Sequence, residues 1–471
     1  MTTAATAEPM SSVDRAWLEM DGPRNPMVVS AIIELEAVAS VASFARAMVE
    51  RLLRYPRFRD RPEVKAGLPR WVPDQDFLGA YHLHILRQPA RDGEAALHSA
   101  IEAELARDLD HGRPLWRIAL FPKRGKRLTM LFRAHHALAD GVALVELLMN
   151  CTDAAMRSAR ASAHVSTPAH PPHATHDGPL GGLIDRLEGV NDLVHGLIEV
   201  AKDDLLHPGR IVGQLRAGRT ALAAMRRVVS LPQDNPAAFR KPLSGHRRVA
   251  WMCDLPFAPI RQLAHGMQVK VNDIFIAALS AAFGDELRAQ GIEVPETQNL
   301  RVSIPVNLRG SGQGELGNCF GLVLLDLPVG VRDPLLGLRL VAERMADLKH
   351  SPEAKAVLAS LAAAGHLPSS VEKKLVSMVG NKAVAVVSNL PGPKRRVRIS
   401  GAQVTSLVFW PPQTGDIGIG VSLFSYAGHF SIGVSADSGL IRAPQRLLAA
   451  FLARLAELQA SARPARKRRP A

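Results

Sequence analysis

The sequence predicts an α/β protein built as two sandwich domains with a cleft between them, and three observations lead there. At 471 residues the chain exceeds what one hydrophobic core organises. Strand-like runs alternate with helix-like runs in both halves, which is the pattern of sheets covered by helices. Between the halves, around 160–178, the composition shifts to Ala, Ser, Pro and His, as in Thr167-Pro168-Ala169-His170-Pro171-Pro172-His173, which reads as a surface linker.

In the first half, Met27–Leu35 reads as a strand, Val41–Tyr55 as a helix, and Glu94–Leu109 as a second helix carrying Leu97, Ile101 and Leu105. Trp116–Phe121 and Arg127–Ala134 form a strand pair across the turn Lys123-Arg124-Gly125-Lys126. Past the linker, two amphipathic helices are expected. One carries Leu183, Leu187, Val190, Val194, Leu197 and Ile198, and the other, Ile211–Val229, sets Leu215, Leu222 and Met225 among arginines. The second half starts with a strand at Arg248–Met252 and a helix near Asn272. Further strands are expected at Leu300–Val306, Phe320–Leu327, Ala383–Ser388, Val404–Phe409, Ile417–Leu423 and His429–Val434, with helices at Pro334–Leu348 and Pro444–Gln459.

The tightest chemical signal is His135-His136-Ala137-Leu138-Ala139-Asp140-Gly141. It follows the strand Leu128–Arg133 and precedes the helix-like Val142–Leu148, so the histidines sit at a strand end, where a rigid sheet presents an imidazole to a cleft. An imidazole with an unperturbed pKa of about 6.5 is mostly neutral near pH 7 yet still basic, so it suits proton abstraction from an alcohol. Neighbours in a strand point to opposite faces, and no further ligand stands at helical spacing, so the pair does not read as a metal site. Asp140 lies at a helix start, where a carboxylate caps backbone N–H groups. The expectation is that His136 alone touches substrate, while His135 orients the loop and Asp140 fixes it.

Charge and composition bound the rest. The formal net charge is +14, which attracts anionic headgroups, polynucleotides or cofactor phosphates. Part of it lies in a basic tail, Arg463–Pro470, suited to an anionic membrane. Aromatic residues make up 5% and no zinc-finger, helix-turn-helix or RNP-like pattern occurs, which argues against nucleic acid. Three cysteines without a Cys-x-x-Cys pair point to a reducing compartment. The N-terminus has no basic and apolar signal-peptide pattern, and no run of eighteen apolar residues occurs, so a cytoplasmic location without a membrane span is expected.

His-His-x-x-x-Asp-Gly resembles the signature of the acyltransferase superfamily that includes chloramphenicol acetyltransferase, the plant acyltransferases of that fold and peptide-synthetase condensation domains. Other stretches are similar to the bacterial wax ester synthase/diacylglycerol acyltransferase family: Met10–Leu18 with Asn25-Pro26-Met27, Pro114-Leu115-Trp116, Val271-Asn272-Asp273-Ile274, Pro305-Val306-Asn307-Leu308-Arg309, Gly317-Asn318 and Ser388-Asn389-Leu390-Pro391-Gly392-Pro393. They run in family order over nearly the whole chain. Arg117 stands where an acidic residue is usual, and 237–244 lacks the usual Thr-x-Leu-Asn pattern.

The resemblance implies two chloramphenicol acetyltransferase-like α/β sandwich domains with an interfacial tunnel. The expected division is 1–158 for the domain carrying the histidines, 159–245 for linker and amphipathic helices, 246–461 for the second domain and 462–471 for the tail. The implied activity is transfer of an acyl group from acyl-CoA, a co-substrate and not a resident cofactor, to diacylglycerol or a long-chain alcohol. His136 is the expected general base, with His135 and Asp140 in the same motif and Gly141 as a structural member of it. Asn272 is a candidate substrate-binding oxyanion donor, but as a residue at a helix start it reads equally well as an N-cap. A peripheral contact with an anionic membrane or lipid droplet surface is expected. Two other readings stay open: acylation of another alcohol or amine, and a non-catalytic lipid-binding protein of the same fold.

Overall fold

A computed structural model describes residues 7–65, 68–86, 93–163, 237–307, 320–349, 382–413 and 415–462. The elements of the first half are β1 (Glu8–Pro9), α1 (Ser12–Met20), β2 (Val28–Glu36), α2 (Val41–Leu52), β3 (Asp60–Lys65), β4 (Leu68–Pro73), β5 (Leu83–Ile85), α3 (Gly93–Leu105), β6 (Trp116–Lys123), β7 (Arg127–His135), α4 (Gly141–Asn150) and α5 (Asp153–Ala163). The second half contributes β8 (Arg247–Pro256), α6 (Ala258–Met267), α7 (Val271–Ala289), β9 (Leu300–Asn307), β10 (Phe320–Leu327), α8 (Pro334–Lys349), β11 (Ala385–Pro391), β12 (Arg398–Ile399), β13 (Ala402–Trp410), β14 (Ile419–Tyr426), β15 (His429–Asp437) and α9 (Pro444–Ser461). The expected mixed α/β architecture is therefore present as two six-stranded sheets, ordered β12-β13-β2-β7-β6-β5 and β10-β9-β11-β14-β15-β8, with β1-β4-β3 as a small third sheet.

Side-chain alternation explains how the first sheet is covered on both faces. Along β2, Ala31, Ile33 and Leu35 join a core with Trp17 of α1, Phe44 of α2 and Leu144 of α4, while Ile32 faces Ile101 of α3 and Val249 of β8. The second sheet rests on α7 and α9, with Ile274, Phe275, Phe283, Leu447 and Phe451 in its core.

One expectation needs correction. The helix expected to reach Leu109 ends at Leu105, because the buried Arg133 guanidinium donates to the carbonyls of Glu104 (2.6 Å) and Leu105 (3.3 Å) and so caps its last turn. The sheets also link the two halves of the chain. Strands β12 and β13 lie far along the second half, yet β13 runs antiparallel to β2, from Gln403 opposite Glu36 to Trp410 opposite Ser30. The edge of β2 is thereby paired instead of exposed.

The linker, both amphipathic helix candidates, Leu308-Arg309, Gly317-Asn318 and the tail from residue 463 lie outside the described residues. Among those described, no helix is long and apolar enough to cross a membrane.

Candidate active site

Strand β7 delivers the histidines in a fixed order. His135 is its last residue, opposite Val28 of β2, and its N–H donates to the carbonyl of Leu115 (2.9 Å), so the Pro114-Leu115-Trp116 segment holds it from one side. The N–H of His136 donates to the carbonyl of Met27 (2.7 Å), which holds the next residue from the other strand. The two rings therefore sit in different surroundings, as expected for neighbours at a strand end.

The His135 ring is fully buried. The N–H of Ala137 donates to its Nδ1 (3.1 Å), so the proton of the neutral ring sits on Nε2, which faces Asp21 Oδ1 at 3.6 Å. Burial pushes the His135 pKa down, against the pull of Asp21, and keeps the ring neutral. Asp21 is a hub. Its Oδ1 also accepts the Met27 N–H (2.6 Å) and its Oδ2 faces His111 Nε2 (3.0 Å). Burial works to raise the Asp21 pKa, but the hydrogen bonds with His111 and the Met27 N–H, together with the nearby His135 ring, hold the carboxyl well below the usual range. The same hydrogen bond to Asp21 raises the pKa of His111 against its partial burial. Donor atoms of Asp21, His111 and His135 lie within 4.8 Å of one another, close enough to hold a cation. However, with Nδ1 already accepting from Ala137, His135 turns a protonated Nε2 toward Asp21, 3.6 Å away, and not a free ligand lone pair.

His136 is 5% exposed, and its ring packs on the Trp17 indole with centroids 4.2 Å apart and planes tilted by 34°. Helix α1 presents that indole. Ser11 accepts the Asp14 N–H (3.1 Å) as the N-cap, and Val13, Ala16 and Trp17 are buried, an apolar face at helical spacing. Asp21, which follows α1, returns its N–H to the Leu18 carbonyl.

Asp140 behaves as its position predicts: it is the N-cap of α4, and Oδ1 accepts the Ala143 N–H (2.9 Å) from a buried position. Gly141 follows, and a side chain there would press on Leu390 Cδ1, 3.3 Å from the site of a Cβ. This contact joins the histidine loop to β11. The next residue back along that strand, Asn389, donates from Nδ2 to Asn272 Oδ1 (2.8 Å).

The N-cap reading of Asn272 is thereby corrected. The cap of α7 is Lys270, whose N–H donates to Asp273 Oδ2 (2.8 Å); Asn272 lies two residues further in, and its side chain is turned toward Asn389. Both asparagines line a cavity of about 310 Å³ whose walls include Phe257, Phe275, Phe424 and Phe430, an apolar chamber with a few polar groups, as ligand sites commonly are.

Sequence reasoning missed Trp17, Asp21 and His111 as partners of the histidines. It also left Arg117 unexplained: its Nε lies 3.8 Å from Glu104 Oε2, so a buried acid on α3 faces the base on β6. Of the cysteines, Cys151 is pushed up to about 12 and Cys253 to about 11, each mainly by burial. Neither is a thiolate nucleophile near neutrality.

Residues 10–275 match the family described as the wax ester synthase/diacylglycerol acyltransferase catalytic domain, and 316–459 match the C-terminal domain of the same family. A probable diacylglycerol O-acyltransferase, tgs1, of Mycobacterium tuberculosis (strain H37Rv) is 26% identical over 426 residues, covering 88% of this chain and 87% of that protein. The wax ester synthase/diacylglycerol acyltransferase of Marinobacter aquaeolei VT8 shares the fold with a TM-score of 0.64 at 19% identity, over 97% of this chain and 99% of that one. A starter condensation domain of rhizomide synthetase, solved with C8-CoA and Leu-SNAC, shares it with a TM-score of 0.57 at 14% identity, over 97% and 94%.

Proposed function

The chain belongs to the wax ester synthase/diacylglycerol acyltransferase family, and we propose from that premise that it transfers an acyl group from acyl-CoA to the hydroxyl of diacylglycerol or of a long-chain alcohol, with His136 as general base. The observation that carries the assignment of the base is the geometry of His136. The residue stands just past a strand end, its backbone tied to Met27 and its ring against Trp17, which is the preorganisation that proton transfer needs.

The alcohol proton passes to the His136 imidazole as the alcohol oxygen attacks the thioester carbonyl. A tetrahedral oxyanion forms, the C–S bond breaks, and the imidazolium returns its proton to the departing sulfur, giving ester and free coenzyme A. A thioester is already activated, so no covalent acyl-enzyme is required, in keeping with the raised pKa values of Cys151 and Cys253. Asn272 and the backbone N–H groups at the start of α4 are the candidate oxyanion donors. His135 holds the loop in one tautomer, and Asp140 fixes the start of α4. The phenylalanine-lined cavity beside Asn272 offers an aliphatic chain an apolar site. We further propose that the net charge of +14 brings the protein to an anionic membrane or lipid droplet surface, where these substrates reside.

Thin-layer product analysis tests the reading. Purified protein is mixed with radiolabelled palmitoyl-CoA, diacylglycerol and hexadecanol together. Labelled triacylglycerol or wax ester is the expected result; binding of acyl-CoA with no ester from any acceptor contradicts it.

A further inference from the structure

We propose that Asp21 is a positioning residue for His136, acting through the Met27 peptide and the His135 ring. This inference rests on the acyltransfer reading above and adds to it a residue outside the histidine motif.

Four contacts place Asp21 at the centre of the loop's support. Oδ1 accepts the Met27 N–H at 2.6 Å, and the carbonyl of Met27 accepts the His136 N–H at 2.7 Å, so carboxylate and base are joined through a single residue. The same Oδ1 faces the protonated Nε2 of His135 at 3.6 Å. Oδ2 faces His111 Nε2 at 3.0 Å. Asp21 also ends α1, the helix whose Trp17 packs on the His136 ring. One residue thus holds, through its carboxylate, the peptide that carries the base, faces the neighbouring ring, and ends, through its backbone N–H, the helix that walls the base in.

The segment beyond Asp21 reaches the other sheet. Asn25 Nδ2 donates to the carbonyls of Gly415 (2.8 Å) and Ile417 (3.0 Å), and Arg247 donates to its Oδ1 (2.9 Å). Residues 21–27 therefore connect the entry to β14 with the histidine loop, and Asp21 is the anchor at the histidine end.

The groups facing Asp21 are His111, His135 and the Met27 N–H, and His111 is itself near Asp108 and Asp110.

The test is steady-state kinetics of Asp21→Asn with palmitoyl-CoA and the preferred acceptor, with the folded fraction of each protein measured alongside. The expected result is a fall in kcat of about 10- to 100-fold with KM for palmitoyl-CoA unchanged. A wild-type kcat overturns the proposal. So does a loss fully accounted for by a smaller folded fraction, because a purely structural role produces that. If Asp21→Asn does not fold, Asp21→Glu keeps the charge and displaces it. The proposal then requires a reduced kcat at unchanged KM, and a wild-type kcat overturns it. Wild-type turnover is measured first in the same assay. Its absence contradicts the acyltransfer reading, whereas normal turnover by Asp21→Asn contradicts only this inference.

Discussion

The two ends of the route from β7 to α7 differ in kind. At the β7–α4 junction the structure buries polar and titratable side chains, His135, His136 and Asp140, and ties each to a backbone or ring partner. At the start of α7 it places a cavity of about 310 Å³ walled by phenylalanines and edged by Asn272 and Asn389. Burying polar groups is costly unless they are satisfied, and backbone N–H groups hold His135 Nδ1 and Asp140 Oδ1, so the first region is specific in its chemistry. The second spends apolar surface on space. In this account the first region decides that a proton moves, and the second decides what chain is accommodated.

The contrast can be broken by mutations ordered by expected effect. His136→Ala is expected to lower turnover by about 10²- to 10⁴-fold, the range of general-base catalysis, with the thermal melt preserved; single-turnover assays with labelled palmitoyl-CoA measure it. Val271→Phe adds bulk to the wall of the cavity and leaves the histidine loop intact. It is expected to lower kcat/KM for long acyl or alcohol chains about tenfold relative to short ones, a size discrimination of the order pockets achieve per methylene or two; a chain-length series reads it. Asp140→Ala removes the α4 N-cap and is expected to cost about 1 kcal/mol in denaturant unfolding.

The smallest effect concerns His111. Its pKa is raised above the ordinary 6.5 by Asp21, so the folded state holds the proton more tightly than the unfolded one. The stabilisation is complete below pH 6.5 and is lost as pH rises through the raised value. Wild type should therefore melt above His111→Asn in mildly acidic buffer, with the gap closing in alkaline buffer. A gap that grows with pH contradicts the assignment. Chelation bears on the same trio: treatment with EDTA is expected to leave turnover unchanged, and a loss restored by added zinc would instead make Asp21, His111 and His135 a metal site.

Much of this was legible locally. The strand pair Trp116–Phe121 and Arg127–Ala134 carries its own turn, and Gly125 and Lys126 adopt φ of 74° and 58° there, a left-handed pair that a tight hairpin needs. Asp140 before an apolar run announced the α4 cap. By contrast, the pairing of β13 with β2 joins residues some 370 positions apart, as in Leu407 opposite Ile33, and no local pattern encodes a partner at that distance. Asp21 and His111 were unreadable for the same reason: each meets His135 only after the sheet has formed. Asn272 misled because a polar residue before an apolar helix has the look of a cap, whereas the Lys270 N–H and Asp273 carboxylate perform that task. A signal for α1 did exist in Ser11 and Asp14, three residues apart ahead of Trp17.

The central claim is that one imidazole, held by a supporting frame, moves the proton. Its most direct test compares His136→Ala with His135→Ala in single-turnover ester formation from labelled palmitoyl-CoA, each checked for folding by its melt. The account predicts a folded His136→Ala protein that binds acyl-CoA and forms no ester within the wild-type reaction time, and a His135→Ala protein that is less stable yet retains measurable turnover. Wild-type ester formation by His136→Ala would contradict it.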